Sequence, residues 1–187
     1  MWRADIRGGI FEGGCLAVWD LGRAYGPEGR GDQCTSADAA GYPNAPLLFT
    51  ADEVAAGEIP HAIRFILPNS SIRDGVYVHP ATHSTGAASG PDTAPPYGAH
   101  LRLRADYPLD TLPNEASRTV ARALQTYGMH LADRGNIALT ARSDRSTTAK
   151  WADLMESRDM EAIRPADFEL MPLDTLVPLT YDCVRVP

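Results

Sequence analysis

The chain has 187 residues, of which 44% are hydrophobic and 22% are charged. This composition is typical of a folded globular protein and excludes wholesale disorder, coiled-coil and collagen-like structure. The formal net charge is -7. Because no stripe of lysine and arginine opposes that charge locally, the chain would repel phosphate backbones, and we expect no nucleic-acid partner. The length favours a single domain over residues 1–187.

No stretch approaches the roughly 18 consecutive apolar residues that a transmembrane helix needs. The opening segment Met1–Gly9 also lacks the charged start and the long apolar stretch of a signal peptide. The sequence therefore predicts a protein without a membrane span, and these residues leave secretion open.

The three cysteines are Cys15, Cys34 and Cys183, and none of them forms a C-x-x-C motif. Their spacing therefore argues against a zinc ribbon and against a thioredoxin-like site. In an oxidising compartment we expect Cys15 and Cys34 to pair, because that bond closes a glycine-rich loop. In a reducing compartment three buried thiols explain the same residues.

The first half of the chain opens with a predicted strand over Leu16–Leu21. A predicted helix over Ala51–Ala56 follows, since Thr50 and Glu53 have the spacing of a capping box and Gly57 suits the helix end.

Two further strands are predicted over His61–Leu67 and Gly75–His83, because both segments are rich in β-branched and aromatic residues. The turn residues between them favour a hairpin with a long turn. In that hairpin His61 would lie opposite His83 or Thr82, so two histidines would share one end of the sheet.

The second half alternates turn-rich segments with periodic ones, and its apolar spacing distinguishes strands from helices. Strands outnumber helices without regular β-α-β alternation. The fold class is therefore predicted as α+β, with a dominant antiparallel β-sheet (a sandwich or an open barrel) and two or three helices. The predicted elements are a loop over Ser84–Gly98, strands over His100–Tyr107, Met129–Ala132, Asn136–Ala141 and Phe168–Met171, and helices over Asn114–Tyr127 and Thr148–Ser157.

Four carboxylates lie beside predicted loops or strand ends, where general acids and bases are usually found: Asp38, Asp52, Glu58 and Asp133. A favourable position in the first helical turn explains Asp52, and an Asx hydrogen bond in a turn explains Asp133. Glu58 is the better candidate, since it lies three residues before His61.

Metal and cofactor sites are not predicted. His79 and His83 would lie about 13 Å apart on a strand, which is too far for one zinc ion. The chain also lacks a phosphate-binding loop, a G-x-G-x-x-G motif and a G-x-S-x-G motif, so nucleotide folds and serine hydrolases are disfavoured.

Three arginines, Arg64, Arg102 and Arg104, alternate with apolar residues on the predicted strands. If their faces converge, they form a basic strip that suits carboxylates or other anionic groups. A solvated outer face of the sheet explains the same alternation.

Six segments of the chain occur together in a specific order. They are Thr35–Gly41 (TSADAAG), Asp52–Ile59 (DEVAAGEI), His61–Phe65 (HAIRF), Pro80–His83 (PATH), Leu101–Leu103 (LRL) and Ala123–Met129 (ALQTYGM). This set, spanning roughly Ala17 to Met171, resembles the C-terminal half of a group of secreted, largely uncharacterised bacterial proteins found in polysaccharide-degrading organisms. The resemblance implies secretion and a carbohydrate-related role.

The chain departs from that group at two points. After the long helix the group's Ala-Asp-Asn-Gly pattern reads Ala-Asp-Arg-Gly here, with Arg134 in place of the asparagine. The N-terminal half of the group also has no counterpart in this chain.

The resemblance and the carboxylates together favour a glycoside hydrolase that acts on a polysaccharide or oligosaccharide without a cofactor. Such an enzyme needs two carboxylates, one on either side of the scissile bond. A non-catalytic carbohydrate-binding module and a polysaccharide lyase for uronic-acid polymers are the alternatives; in the lyase Arg64 or Arg102 would neutralise the uronate. The candidate catalytic residues are Glu58, Asp38, His61 and His83, and the candidate substrate-binding residues are Arg64, Tyr77, Arg102 and Trp19.

Overall fold

The computed structural model describes residues 4–13 and 17–185 of the chain. Within these ranges the fold is α+β, as the sequence predicts, and none of the helices there is both long and apolar enough to cross a membrane. In chain order the elements are β1 (Ala4–Arg7), β2 (Ile10–Gly13), α1 (Ala51–Ala56), β3 (Ile63–Leu67), β4 (Val76–Tyr77), β5 (His100–Leu103), α2 (Glu115–Thr126), β6 (Met129–Arg134), β7 (Phe168–Leu170) and β8 (Val177–Pro178).

Helix α1 begins and ends at the residues that the sequence predicts. The Thr50 hydroxyl accepts a hydrogen bond from the Glu53 backbone N–H at 3.2 Å, and the Glu53 carboxylate accepts one from the Thr50 N–H at 2.7 Å. Gly57 then ends the helix in a left-handed conformation with φ of 83°. Because both terminal signals are local, this prediction is confirmed.

Helix α2 is also confirmed. The Asn114 side chain accepts a hydrogen bond from the Ser117 N–H at 2.8 Å, which caps the helix at its N-terminus. Ala116, Val120 and Leu124 are buried on one face, as the helical spacing predicts. That face packs into the hydrophobic core.

The central sheet has four strands in the order β3-β6-β5-β7. Strand β3 runs parallel to β6, whereas the pairs β6–β5 and β5–β7 are antiparallel. Two smaller sheets pair β1 with β2 and β4 with β8. The described sheets are not closed, and the finer prediction of a sandwich or open barrel is not confirmed.

The predicted hairpin between residues 61–67 and 75–83 is wrong. Strand β3 pairs with β6, and the second segment forms only the two-residue strand β4, which pairs with β8. Beyond β4 the backbone of this segment forms hydrogen bonds outside the predicted hairpin: the Val78 N–H donates to the Tyr97 carbonyl, and the Thr82 N–H donates to the Ala40 carbonyl. His61 and His83 are therefore not opposite each other in a sheet.

Three further predicted elements differ from the structure. Residues 17–21 form no strand, and Leu16 lies outside the described residues. Residues 136–141 retain only an isolated bridge from Leu139 to Phe65. In the predicted helix over residues 148–157 only Trp151–Asp153 form a helical turn, and the preceding N–H groups of residues 148 and 149 donate to the Asp52 carboxylate.

The disulfide joins Cys34 to Cys183, so the expected pairing of Cys34 with Cys15 is wrong. Cys15 itself lies outside the described residues. The C-terminal segment returns to the body of the protein through β8, and the Gln33 side-chain oxygen then accepts a hydrogen bond from the Thr180 N–H at 2.8 Å. These contacts bring two cysteines together that are 149 positions apart.

Candidate functional site

Two carboxylates converge on the guanidinium of Arg64, which lies on the central strand pair. Arg64 Nη2 is 3.7 Å from Asp38 Oδ2 and 3.4 Å from Asp133 Oδ2. Strand β3 carries Arg64 and its parallel neighbour β6 carries Asp133. The loop with Asp38 is tied to β6 because the Ala40 N–H donates to the Ala132 carbonyl at 2.9 Å. We call Asp38, Arg64 and Asp133 the Arg64 cluster.

Asp38 is the most perturbed member of the Arg64 cluster. Its side chain has 0% exposed surface, and Oδ1 accepts a hydrogen bond from the Tyr42 N–H at 2.8 Å. Burial raises the pKa of Asp38 to about 7, against the lowering effects of the Tyr42 N–H and the Arg64 charge. Asp38 can therefore hold a proton near neutral pH, which is the property of a general acid.

Two tyrosines surround the cluster. Burial and the negative charge of Asp38 raise the pKa of Tyr42, and burial followed by the charges of Asp133 and Asp38 raises the pKa of Tyr97 to about 12. Within the described residues the Tyr42 hydroxyl and Asp38 Oδ2 have no hydrogen-bond partner. An enclosed site with unpaired polar atoms is unusual in a purely structural core and is common where chemistry occurs.

Asp133 connects the cluster to solvent. Its side chain is 32% exposed, whereas Arg64 beside it is 9% exposed. The sequence predicts Asp133 to be a turn residue, which is wrong, because Asp133 lies on β6 and pairs with Ile66 of β3. The sequence feature that could have identified Asp133 as a site residue is the charge of Arg64. A buried arginine inside the apolar strand β3 needs a carboxylate partner, which a neighbouring strand can supply.

The predicted acid–base partner Glu58 is not part of this cluster. It follows α1 on the surface, and its side chain forms no hydrogen bond or ion pair with the described residues. His61 lies near the same helix, where its Nε2 is 3.2 Å from Glu53. The structure therefore places Asp133, rather than Glu58, beside Asp38.

His83 is buried near the loop that carries Asp38. Its Nδ1 lies 3.0 Å from the Ala39 carbonyl, and its ring makes an edge contact with Tyr181 at 5.8 Å. Burial lowers the pKa of His83, so the ring is neutral at pH 7. His83 and His61 contact different groups and do not form a pair.

The predicted sugar-binding residues Tyr77 and Arg102 are committed to internal bonds. Tyr77 is 0% exposed and donates its hydroxyl proton to Asp32 at 2.9 Å. Two nitrogens of the Arg102 guanidinium donate to the Gln125 carbonyl, at 2.7 and 3.2 Å. Since Arg64 is enclosed and Arg104 bonds to Asp106, the three arginines do not form a basic strip.

Trp19 is half-buried. Its indole N–H donates to the Ser36 hydroxyl at 2.9 Å, two residues before Asp38. The guanidinium of Arg30 lies over the same ring at 5.7 Å. Tyr25 also packs edge-on against this ring, with the centroids 4.6 Å apart, and a role of Trp19 in stacking on sugar stays a prediction.

Among the described residues, no group of three or more His, Cys, Asp or Glu side chains could hold a metal ion. No protein-family model, curated protein or solved structure matches the chain. The resemblance to secreted bacterial proteins stays a prediction.

Proposed function

We propose that the protein is a glycoside hydrolase whose carboxylate pair is Asp38 and Asp133. The observation that carries the proposal is the Arg64 cluster, in which one carboxyl has a pKa of about 7 and the other is partly exposed. Since both carboxylates approach the same Arg64 nitrogen, their nearest oxygens lie within about 7 Å of each other. Retaining glycosidases separate their two carboxyl groups by about 5 to 5.5 Å and inverting ones by about 6.5 to 9.5 Å, so this upper limit permits either arrangement.

The buried environment of Asp38 and the partly exposed environment of Asp133 suggest a different role for each carboxyl group. Protonated Asp38 would give its proton to the glycosidic oxygen as the bond from that oxygen to the anomeric carbon breaks. Asp133 would take a proton from the attacking water, whose oxygen bonds to the anomeric carbon. Arg64 is a positioning residue that holds both carboxylates and balances their charge.

The enclosure of Asp38 sets a condition on this reaction. Its side chain has no exposed surface, so a substrate oxygen reaches it only after a local opening of the protein beside the Arg64 cluster. Glycan would therefore enter from the side of Asp133, which faces solvent.

The same enclosure favours a second candidate, the non-catalytic carbohydrate-binding module. A module needs polar side chains and apolar faces but no accessible acid. The lyase alternative has less support, because neither Arg64 nor Arg102 presents a free guanidinium to a uronate.

The test is the release of reducing sugar from a panel of neutral and acidic polysaccharides. We expect Asp38→Asn and Asp133→Asn each to lose about 100-fold or more of the activity, while Glu58→Gln, a carboxylate outside the cluster, retains it. Circular dichroism checks that all three variants are folded. Full activity in both asparagine variants would contradict the proposal, and no release by the folded wild type would favour the binding module.

We also propose that the protein is secreted and that its partner is a polysaccharide or oligosaccharide. The Cys34–Cys183 disulfide supports an oxidising compartment, since structural disulfides persist mainly in extracellular and periplasmic proteins.

A further inference from the structure

A separate cavity of about 260 Å³ lies between the central sheet and the segment that follows β7. Three histidines line it: His79, which follows β4, and the pair formed by His100 and His130. Strands β5 and β6 place His100 directly opposite His130, and the two rings stack with centroids 4.3 Å apart and planes inclined by 18°. The apolar lining comes from Pro80, Met171 and Leu173.

Hydrogen bonds determine which nitrogen of each stacked ring carries the proton. His100 Nε2 lies 2.9 Å from the Tyr127 carbonyl, and His130 Nδ1 lies 3.4 Å from the Gly98 carbonyl. A carbonyl can only accept, so these nitrogens are the donors. In the neutral rings His100 Nδ1 and His130 Nε2 are then free to accept. Burial and the neighbouring His100 lower the pKa of His130 to about 4, which keeps that ring neutral at pH 7.

His79 follows the same rule. Its Nε2 lies 2.8 Å from the Asp32 carboxylate, which accepts, so this nitrogen is the donor. All three histidines thus commit a donor to the protein, and His130, whose ring is neutral at pH 7, retains an acceptor on Nε2. Nearly parallel stacking prevents the lone pairs of His100 and His130 from converging on one metal ion, in agreement with the absence of a metal-binding group among the described residues.

We propose that this histidine cavity binds a neutral sugar ring. Hydroxyl groups donate to the imidazole acceptors, while the C–H face of the ring packs against Pro80, Met171 and Leu173. The volume is below the roughly 300 to 1,000 Å³ typical of sites for drug-sized ligands, so the cavity admits about one ring. Asp174 at the lining adds a negative charge that disfavours uronates and other anionic sugars.

The inference names a binding site apart from the Arg64 cluster and stands whether or not the protein hydrolyses glycans. Binding is therefore measured on the Asp38→Asn variant of the full chain, in which the proposed turnover is removed. Glucose, galactose, arabinose and maltose are titrated against glucuronate as the anionic control. The readout is the nuclear magnetic resonance shift of the imidazole signals of His79, His100 and His130.

We expect saturable shifts of these signals with at least one neutral sugar and weaker binding of glucuronate. Leu173→Trp fills the cavity from an exposed position and should weaken binding at least tenfold. Leu170→Trp is the matched control, since Leu170 is an exposed leucine on β7 outside the cavity lining. The proposal is overturned if no neutral sugar binds, if glucuronate binds more tightly, or if Leu173→Trp binds as well as its control.

Discussion

Arg64 and Asp38 form an ion pair inside the protein, with 3.7 Å between Nη2 and Oδ2 and at most 9% of either side chain exposed. Removing both charges from water costs more than an ion pair at this distance returns, unless hydrogen bonds satisfy the remaining atoms. Asp38 Oδ2 and Arg64 Nε have no hydrogen-bond partner among the described residues. The pair therefore carries a cost in stability, and that cost depends on pH.

The first prediction concerns the free energy of unfolding as a function of pH. The pKa of Asp38 is raised from 3.8 to about 7, so between these values the folded state binds a proton that the unfolded state has released. The contribution of Asp38 to the free energy of unfolding is therefore fully present below about pH 4. It falls by at most about 4 kcal/mol as the pH rises to about 7. Urea unfolding at pH 5 and pH 8 measures the loss.

Asp38→Asn is the control for this pH dependence, because asparagine has nearly the same shape and does not titrate. The variant should lose the downward slope that the wild type shows between pH 5 and pH 8. Equal slopes in the two proteins would show that Asp38 titrates normally in the folded state.

The second prediction concerns the energetic coupling between the charges of Arg64 and Asp38. Arg64→Met removes the cation that lowers the pKa of Asp38, and at pH 8 it leaves a buried carboxylate with less compensation. We expect a loss of about 3 to 5 kcal/mol in the free energy of unfolding. Adding Asp38→Asn should restore part of the loss, and a double-mutant cycle from urea unfolding measures the coupling. Additive losses would mean that the two charges do not interact.

Local signals in the sequence predict local structure well in this protein. The capping box at Thr50 and Glu53 and the helical spacing of α2 specify elements through residues that are three or four positions apart. Such contacts form within one element and do not depend on the rest of the chain.

Long-range pairing could not be predicted in the same way. Strand β3 resembles half of a hairpin, yet its partner β6 follows more than 60 residues later and runs parallel to it. Likewise Cys34 pairs with Cys183, which follows β8 near the C-terminus, rather than with Cys15, which is nearer in sequence. The candidate site could not be predicted for the same reason. Asp38, Arg64 and Asp133 are brought together only by long-range contacts, namely the pairing of β3 with β6 and the ion pairs of Arg64.

The third prediction contrasts two glycines that both follow helices. Gly128 has φ of 72°, and a β-carbon there would lie 2.5 Å from the Leu101 carbonyl oxygen. Gly57 has φ of 83° but no atom within 4 Å of the same position. We expect Gly57→Ala to cost about 1 kcal/mol from backbone strain and Gly128→Ala about 3 kcal/mol, because it adds a clash with the backbone of β5. Thermal unfolding compares the two, and equal losses would contradict the crowding around Gly128.

The fourth prediction concerns the disulfide. Its loop of 149 positions is long, and replacing Cys34 and Cys183 together by alanine should lower the free energy of unfolding by about 2 to 5 kcal/mol. The C-terminal segment would then be held mainly by Gln33 and β8, so the edge contact of Tyr181 with His83 should weaken. Urea unfolding and the imidazole signal of His83 report the two effects. An unchanged midpoint in the double variant would show that the segment is held without the bond.

The last prediction connects the environment of Asp38 with the proposed hydrolysis. If protonated Asp38 gives its proton to the leaving oxygen, kcat/KM should fall above about pH 7, by tenfold for each further pH unit, because the pKa of Asp38 in the free enzyme is about 7. Arg64→Met should move this limb to higher pH, since the arginine charge lowers the pKa of Asp38. A purely structural role for Arg64 would reduce the rate at every pH without moving the limb. Circular dichroism at each pH distinguishes a titrating acid from unfolding, and an activity that stays constant up to pH 9 in the folded enzyme would exclude Asp38 as the general acid.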